Sequence, residues 1–252
     1  MKGVFSFREQ GRRPADEDHL FTDEKNGIFV VADGFGGPGP GTLAAKTACE
    51  AVQSFLIKEA GDLEATMPFV LRSYYSLAAN VLFNSLIHAN RTLIEQNRGK
   101  TGGERGGASI IAAFMDNDLL AIANIGACTA WLFRDDKAVE LVIPRTYDRL
   151  IDPFMSLNSL NDSRQPKPGV PLMSLGLAED LEPEMFEYKI RERDWLLLHT
   201  DGMTSKMHGD IKAIHQQRHA DITTAKEAVA NAIKTAAAEG LHDNLAATLV
   251  FF

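Results

Sequence analysis

The chain has 252 residues, of which 45% are hydrophobic and 24% are charged, an ordinary composition for a soluble globular protein. Its net charge of −8 and pI near 5.4 argue against a nucleic-acid-binding protein, because proteins that bind the phosphate backbone usually carry basic patches. The N-terminal segment MKGVFSFREQGRRP lacks the apolar core of a signal peptide, and no apolar run reaches the roughly 18 residues of a transmembrane helix. These features predict a cytoplasmic protein with no membrane partner.

The first part of the chain predicts strands followed by helices. Short apolar segments flank the turn-like sequence DEKNG, which is typical of a β-hairpin. A glycine-rich loop follows the second of them, and the next segments have apolar residues at helical spacing. The expected elements are a strand over 3–7, a hairpin of strands over 19–21 and 28–32, and helices over 42–60 and 67–98, the second with at most one break.

The polar stretch GKTGGERGG at 99–107 separates these helices from a region in which the apolar period changes from about 3.6 to about 2. We expect four strands there, paired in order as an antiparallel meander. Residues 145–190 are irregular and too long for a simple connection, which is typical of a functional loop. The elements expected after residue 107 are strands over 108–115, 119–125, 129–134 and 138–143, a strand over 194–200, helices over 211–219 and 223–239, and a final strand over 245–252.

We expect an α+β fold, because the predicted strands and helices occur in separate groups along the chain. Strands come first, then helices, then several strands, and finally helices and one last strand. The strict alternation of strands and helices that is typical of a parallel sheet is absent. No repeat, low-complexity tract or linker divides the chain, so we expect a single domain over 1–252. The sequence therefore predicts antiparallel sheets covered by helices.

The chain has two cysteines, Cys49 and Cys128, which lie in unrelated segments without the spacing of metal ligands. Free cysteines are often buried, and disulfides are rare in reducing compartments. We interpret both residues as buried thiols rather than as a disulfide, in agreement with a cytoplasmic location.

The loop GFGGPG at 34–39 formally satisfies the dinucleotide-binding pattern G-x-G-x-x-G. Three features argue against that ligand. Asp33 would place a negative charge against the pyrophosphate, and Pro38 and Pro40 cannot donate N–H groups to it. The chain also continues from helix to helix, where a strand with a ribose-binding acid should follow. Neither a Walker A loop nor a G-x-S-x-G nucleophile motif is present.

Four aspartates lie at the ends of expected strands: Asp18, Asp33, Asp201 and Asp243. Acids in such positions can converge on one rim of packed sheets, where they would repel each other unless cations neutralised them. Carboxylate oxygens favour Mg²⁺ or Mn²⁺ over zinc. Any one of these residues could instead be a strand cap or a turn residue, and that alternative stays open at this point. Their common placement favours a two-metal site, which can promote displacement at phosphorus.

Six short motifs resemble, in the same order over nearly the whole chain, those of the metal-dependent protein phosphatases, the PPM or type 2C serine/threonine phosphatase family. Each motif alone is weak, and the six together at suitable intervals are strong. The matching segments are RPADED at 13–18 (family R-x-x-N-E-D), VADGFGG at 31–37 (V-A-D-G-M-G-G), ANIG at 123–126 (V-A-N-V-G), TYDR at 146–149 (T-x-D-H), LLHTDGMT at 197–204 (L-L-C-S-D-G-L-T) and DN at 243–244 (D-N).

This resemblance implies two packed antiparallel sheets flanked by helices on both sides, a four-layer α/β/β/α sandwich. It implies a bacterial-type phosphoserine/phosphothreonine protein phosphatase that uses two Mn²⁺ or Mg²⁺ ions and a metal-bridging water as the nucleophile. The partner would be a phosphorylated protein, the substrate of a serine/threonine kinase in signalling, and the enzyme would act as a monomer.

The resemblance also implies metal ligands at the matching positions. Asp33 would bridge the two metals, and the carbonyl of Gly34 would be a second contact. Asp201 and Asp243 would bind the first metal.

Catalytic roles follow from the same resemblance for Arg13, Asp18 and Asp33. Asp18 would orient metal-bound water beside the bridging Asp33. Arg13 would hold the substrate phosphate, because a guanidinium suits phosphate oxygens. Arg12 could replace Arg13 if the register slipped by one residue.

The sequence departs from the family pattern where G-D-S-R becomes GACT at 126–129. Ala127 replaces an acid that helps to bind a third metal in bacterial relatives, so we expect that third site to be absent or rebuilt. The change motivates an alternative, a pseudophosphatase that binds phosphoproteins without turnover. A further alternative is a hydrolase of small phosphate esters.

Two other positions depart from the family pattern. Asp16 stands in place of the usual asparagine, and Phe35 stands where eukaryotic members carry a histidine.

Three histidines are interpreted as structural. His215 and His219 are four residues apart on an expected helix, a spacing that could bind a transition metal. Because glutamine and arginine surround them, we interpret the pair as part of a solvated face. His199 is expected to be a buried strand residue with a local hydrogen bond.

Overall fold

A computed structural model of the chain describes residues 1–60, 71–147, 169–217 and 221–252. These ranges contain ten strands and four α-helices. In chain order they are β1 (Gly3–Glu9), β2 (Asp18–Asp23), β3 (Ile28–Phe35), α1 (Pro40–Ala60), α2 (Leu77–Asn97), β4 (Gly107–Asp116), β5 (Leu119–Ile125), β6 (Thr129–Arg134), β7 (Lys137–Val142), β8 (Glu184–Lys189), β9 (Trp195–His199), α3 (Ser205–Gln216), α4 (Ile222–Ala238) and β10 (Leu245–Phe251).

The described strands form two five-stranded antiparallel sheets. Sheet A has the order β1-β10-β9-β6-β7, and sheet B has the order β2-β3-β4-β5-β8. Every neighbouring pair is antiparallel. The prediction of two packed antiparallel sheets is confirmed.

Alternation along β3 shows how the layers are stacked. Val30 and Ala32 are fully buried against α1 and α2, while Phe29 and Val31 point to the opposite face and pack against sheet A. Successive side chains of a strand point to opposite faces, so a strand that is apolar on both faces lies between two layers. Helices α3 and α4 cover the outer face of sheet A. The result is the expected α/β/β/α sandwich.

The four strands that we expected to pair in order as one meander divide between the two sheets. β4 pairs with β5 in sheet B, and β6 pairs with β7 in sheet A. The chain crosses between the sheets at Gly126, whose φ of 94° suits glycine. The prediction of a continuous meander was wrong, because a period of two indicates strands without indicating which neighbours they pair with.

Two further element predictions were wrong in part. The segment expected to be irregular contains β8, whose sequence EMFEYK is half-buried at the edge of sheet B and has weak apolar alternation. Residues 71–76, expected to be helical, precede α2, which begins after Ser76, whose side chain accepts a hydrogen bond from the N–H of Ala79. The expected start of that helix at 67 lies outside the described residues.

Helix α3 begins before the expected position. Thr204 caps it by accepting a hydrogen bond from the N–H of Met207.

Cys49 and Cys128 are buried free thiols, which confirms the prediction made for them. No helix in the described ranges has the length and apolar character needed to cross a membrane.

Candidate metal centre

One rim of sheet B carries two of the four strand-terminal aspartates. The register of β2 and β3 places Asp18 directly opposite Asp33, and on the other side of β3 Asp33 lies opposite Ser109 of β4. Asp18 is buried and Asp33 is half-buried. Because directly opposite residues of antiparallel strands have side chains on the same face, the two carboxylates are neighbours.

Sheet A brings the other two aspartates to the same end of the sandwich. Asp201 follows β9 and Asp243 precedes β10, and these strands are antiparallel neighbours. The end of β9 therefore lies beside the beginning of β10. The two segments are in close contact, since a Cβ added to Gly202 would lie 1.9 Å from the carbonyl oxygen of Asn244.

Thr200 connects the end of sheet A that carries Asp201 to the rim of sheet B that carries Asp18. Its Oγ1 donates to Oδ2 of Asp18 at 2.7 Å and accepts from the N–H of Ala246 at 3.0 Å. One buried hydroxyl thus connects β9 and β10 of sheet A to β2 of sheet B. This role of Thr200 was not predicted from the sequence. The available signal was a hydroxyl residue directly before an acid at the end of a strand.

Arg13 extends from the connection between β1 and β2 to the carboxylates. Its Nη2 forms an ion pair with Oδ2 of Asp243. This hydrogen bond raises the pKa of Arg13 further, with added attraction from Asp201 and Asp33. Arg12 lies elsewhere, with its guanidinium against Gly240. The structure therefore places Arg13, rather than Arg12, beside the aspartates.

Asn244 holds the connection between β1 and β2 in place. Its side-chain Oδ1 accepts from the N–H of Glu17 at 3.0 Å, and its Nδ2 donates to the carbonyls of Gln10 and Ala15 at 2.7 and 2.9 Å. Asn244 is buried. From the sequence, this asparagine was recognised only as part of a motif, and the structure shows that it positions the segment that carries Arg13.

The aspartates raise one another's pKa. Burial is the largest cause for Asp33, whose pKa lies well above its usual value, and repulsion from Asp201, Asp18 and Asp243 adds to it. Burial also raises the pKa of Asp18 to about 7, although its hydrogen bond from Thr200 acts in the opposite direction. Asp201 is exposed to solvent, yet desolvation by the surrounding protein, followed by repulsion from Asp243, raises its pKa to about 6. Such a concentration of negative charge attracts cations.

The glycine-rich loop packs against the segment that precedes β2. The N–H of Gly34 donates to the carbonyl oxygen of Glu17 at 3.0 Å. A Cβ added to Gly34 would lie 2.1 Å from the carbonyl oxygen of Gly41, and a Cβ added to Gly41 would lie 1.8 Å from Oε1 of Glu17. The glycines at 34 and 41 therefore allow close backbone approach beside the carboxylates.

The oxygen donors of this rim suit a hard divalent cation such as Mn²⁺ or Mg²⁺. They are carboxylates and backbone carbonyls, and the buried Oε1 of Glu17 has no hydrogen-bond partner among the described residues. Among the described residues, no group of three or more Asp, Glu, His or Cys side chains is arranged closely enough to hold a metal ion. Arg13 supplies part of the neutralising charge through its ion pair with Asp243.

Two of the departures from the family motifs, Ala127 and Asp16, have different surroundings. Ala127 is buried and offers no ligand atom. Asp16 forms an ion pair with Arg8 at 2.6 Å, and its Oδ1 accepts from the N–H of Asp18 at 3.2 Å. Asp16 therefore holds the start of β2. The motif at 146–149 is described only as far as Tyr147.

His215 is not on a solvated face, so that interpretation was wrong. Its ring is buried with its centroid 4.9 Å from that of Trp195, and its Nε2 donates to the carbonyl oxygen of Arg193 at 3.2 Å. The next two residues, Gln216 and Gln217, are exposed, and the linear spacing did not reveal that His215 faces the other way. His219 lies outside the described residues. His199 is buried, and its Nδ1 donates to the carbonyl oxygen of Thr200 at 2.6 Å.

The sequence pattern of the family described as "Protein phosphatase 2C" matches residues 6–250. Among individual relatives, the serine/threonine phosphatase stp of Listeria innocua is 22% identical to the chain over 182 residues. That alignment covers 72% of this chain and 68% of the Listeria protein.

Solved structures share the fold over nearly the full length. The Mycobacterium tuberculosis serine/threonine phosphatase PstP/Ppp has a TM-score of 0.74 and 18% identity, covering 98% of this chain and 97% of that chain. The PstP catalytic domain in complex with two manganese ions also has a TM-score of 0.74, with 17% identity and coverage of 98% and 96%. At these identities the structures show the similarity of fold.

Proposed function

The chain belongs to the protein phosphatase 2C family of serine/threonine phosphatases, and from that premise we propose that it hydrolyses phosphoserine and phosphothreonine in proteins with the help of two Mn²⁺ or Mg²⁺ ions. The observation that carries the proposal is the assembly of strand-terminal carboxylates from both sheets at one end of the sandwich, beside Arg13. The binding of two manganese ions by the PstP catalytic domain supports the choice of metal.

We assign the metal ligands to Asp33, the carbonyl of Gly34, Asp201 and Asp243. Asp33 would be the ligand common to both ions, because its carboxylate is close enough to those of Asp201, Asp18 and Asp243 to be repelled by all three. Two divalent cations bound there would lower the pKa of water and stabilise the charge that develops on a phosphoryl group during in-line displacement.

Asp18 is assigned the orientation of the attacking water. Its Oδ2 accepts the hydrogen bond from Thr200, which leaves Oδ1 as the oxygen that can accept from water. Burial of Asp18 and its connection to both sheets hold the carboxylate in one orientation, as a residue that positions a nucleophile requires.

Arg13 is assigned the binding of the substrate phosphate. Its side chain is 53% exposed, and in the structure its guanidinium pairs with Asp243. A phosphate oxygen offers the guanidinium a second charge-assisted partner at the same place. Arg13 would then pair with the phosphate, and Asp243 would be one of the carboxylates that hold the metal.

The alternative of a binding protein without turnover rests on Ala127, which cannot replace the missing ligand of a third metal. Against it, the chain keeps all three aspartates assigned to the two-metal centre, Asp33, Asp201 and Asp243. We therefore assign turnover to the enzyme and expect the third site to be absent.

The wider setting is proposed on the same basis. The substrates would be proteins phosphorylated by a serine/threonine kinase, and the enzyme would act as a monomeric single domain over 1–252 in cytoplasmic signalling. Two buried free thiols agree with a reducing compartment.

Hydrolysis of p-nitrophenyl phosphate and of a phosphothreonine peptide, each measured with Mn²⁺, Mg²⁺ or EDTA, tests the proposal. We expect activity that requires metal and that is lost in Asp33→Asn. Asp210→Asn on α3 is the matched control and should retain activity. Absence of turnover in folded protein that binds Mn²⁺ would reject the enzyme and favour the binding protein. Equal catalytic efficiency on both substrates would favour a hydrolase of small esters.

A further inference from the structure

A groove of about 990 Å³ lies between the segment that precedes α2 and the segment that leads into β8. We call it the acidic groove. Its apolar surface comes from the buried Leu181 and from the half-buried Tyr75 and Phe186. Tyr74, Asp180 and Glu182 also line it and are exposed to solvent. Such a groove is large enough for a short stretch of polypeptide.

Arg145, which lines the acidic groove, connects it to the metal centre. The N–H of Arg145 donates to the carbonyl oxygen of Gly126 at 3.0 Å. A Cβ added to Gly126 would lie 2.5 Å from Oγ of Ser109, and Ser109 is the cross-strand neighbour of Asp33. The groove therefore lies at the same end of sheet B as the carboxylates.

The strand order gives the distance between the two features. Sheet B runs β3-β4-β5-β8 from Asp33 towards the groove, and Glu184 at the start of β8 pairs with Asn124 at the end of β5. Three inter-strand spacings amount to about 14 Å, which is the length of about four residues of extended polypeptide. A substrate with its phosphate at the metal centre can therefore place a residue about four positions away in the groove.

Three carboxylates and two arginines line the acidic groove, Asp180, Glu182 and Glu184 with Arg72 and Arg145, so its net charge is −1. Nε of Arg145 lies 3.6 Å from Oε1 of Glu184, so this arginine already has an anionic neighbour. Asp180 and Glu182 have no ion-pair partner in the part of the chain that the structure describes. These two exposed carboxylates favour a cationic occupant.

The aromatic residues of the groove favour the same kind of occupant. The guanidinium carbon of Arg72 lies 3.6 Å from the centroid of the Phe83 ring, and both residues line the groove. The groove therefore already holds one arginine over an aromatic face. Tyr74 is 72% exposed, with its ring centroid 4.6 Å from that of Tyr75. Its face can accept a second cation by the same interaction.

We propose that the acidic groove binds the polypeptide that flanks the phosphorylated residue and selects a lysine or arginine about four residues from it. The proposal rests on the phosphatase function proposed above and adds the class of substrate sequence. The carboxylates of Asp180 and Glu182 attract the basic side chain, and Tyr74 contacts its cationic group.

The test compares phosphothreonine peptides that carry arginine or glutamate four residues before or after the phosphothreonine. In the unmodified protein we expect kcat/KM to be about tenfold higher for one of the arginine peptides than for its glutamate counterpart, a difference of about 1.4 kcal/mol. The double variant Asp180→Lys/Glu182→Lys should reverse the order, and Tyr74→Ala should reduce the preference. Hydrolysis of p-nitrophenyl phosphate should not change, because this substrate is too small to extend into the groove.

The double variant Asp210→Lys/Glu227→Lys makes the same charge change on α3 and α4 and is the matched control, which should keep the preference for arginine. Equal rates on all peptides in the unmodified protein, or a preference that survives Asp180→Lys/Glu182→Lys, would overturn the proposal. Lack of hydrolysis of any substrate would reject the phosphatase function. The groove would then be tested by measuring the affinity of the same peptides in fluorescence anisotropy. Equal affinities for the arginine and glutamate peptides would overturn the proposal. Tighter binding of an arginine peptide that is reversed by Asp180→Lys/Glu182→Lys would support it.

Discussion

Thr200 and Asp18 form a hydrogen bond that links the two sheets of the sandwich. The Thr200 hydroxyl donates to Oδ2 of Asp18 at 2.7 Å, and both residues are buried. This bond lowers the pKa of Asp18, while burial and repulsion from neighbouring carboxylates raise it. The hydroxyl therefore stabilises the charged form of the carboxylate in the place where the proposed mechanism uses it.

Thr200→Val removes this donor and nearly preserves the volume of the side chain. We expect the free energy of unfolding to fall by about 1–3 kcal/mol, because a buried carboxylate loses a hydrogen-bond donor. We also expect kcat for p-nitrophenyl phosphate to fall, because the orientation of Asp18 is no longer held. Urea denaturation and steady-state kinetics measure the two effects. Thr200→Ser keeps the hydroxyl and is the control, and a Val variant as stable and active as the Ser variant would contradict the prediction.

Asp33→Asn should stabilise the metal-free protein. It removes one of several carboxylates that raise one another's pKa, so we expect the free energy of unfolding in EDTA to rise by about 1–2 kcal/mol. Mn²⁺ should raise Tm in the unmodified protein, because a ligand that binds the folded state stabilises it, and the variant should lose most of this rise. Calorimetry with and without Mn²⁺ gives both values.

The control for that comparison is Asp210→Asn, the same chemical change on α3. It should leave both Tm in EDTA and its rise with Mn²⁺ close to those of the unmodified protein. A metal-free Asp33→Asn protein that is folded but less stable than the unmodified one would show that repulsion among the carboxylates is not a dominant cost.

Arg13→Ala should weaken the binding of substrate. The guanidinium lies beside Asp243 at the metal centre, and charge-assisted hydrogen bonds to phosphate contribute about 1.5–3 kcal/mol. We expect kcat/KM for phosphopeptides to fall by a factor of about ten to one hundred. Arg12→Ala is the control, since Arg12 packs against Gly240 instead, and its kinetics should stay near those of the unmodified protein. Equal losses in both variants would point to a general effect of positive charge.

Two histidine rings at the outer face of sheet A should destabilise the protein in acid. The ring of His208 on α3 has its centroid 4.7 Å from that of His199 and 4.8 Å from that of Trp131. Burial lowers the pKa of His208 to about 4 and that of His199 to about 3, from the usual 6.5. The unfolded state therefore takes up protons that the folded state excludes. The stability contributed by the neutral rings is fully present above pH 6.5 and is lost as pH falls towards 4.

His208→Phe removes the titration of one ring and keeps an aromatic side chain against Trp131. We expect the free energy of unfolding to fall less steeply between pH 6.5 and 4 than in the unmodified protein. The difference at pH 4 should reach at most about 2–3 kcal/mol, and less to the extent that the ring is screened by water. His88→Phe makes the same change at an exposed histidine of α2 and is the control. Identical slopes in all three proteins would contradict the assignment.

Local patterns in the sequence were sufficient for much of the fold. The apolar runs of β3, β9 and β10 each lie next to an aspartate, and the resemblance to the family predicted the four-layer arrangement. The pattern failed for β8, because an edge strand with half-buried, polar side chains lacks a clear period of two. It also failed for the pairing of β5 with β6, because strand periodicity carries no information on partners.

The candidate site, like the fold, was predicted from the sequence only in part. The residue types and their places at strand ends indicated a metal centre, and Arg13 was named with Arg12 as its alternative. Only the folded chain places the guanidinium of Arg13 on Asp243. The burial of His215 against Trp195 was also missed, because the apolar side of α3 is defined by the sheet on which it packs.

The sequence by itself determined which groups are available for the proposed chemistry: strand-terminal carboxylates, an arginine proposed to bind phosphate, and glycines that permit close backbone approach. The tertiary structure decided which of these groups meet. Thr200 and Asp18 are separated by 182 positions, and they are brought together by the pairing of strands within each sheet and by the packing of the two sheets. Contacts of this kind depend on burial of apolar faces by residues far apart in the chain, which no local pattern records.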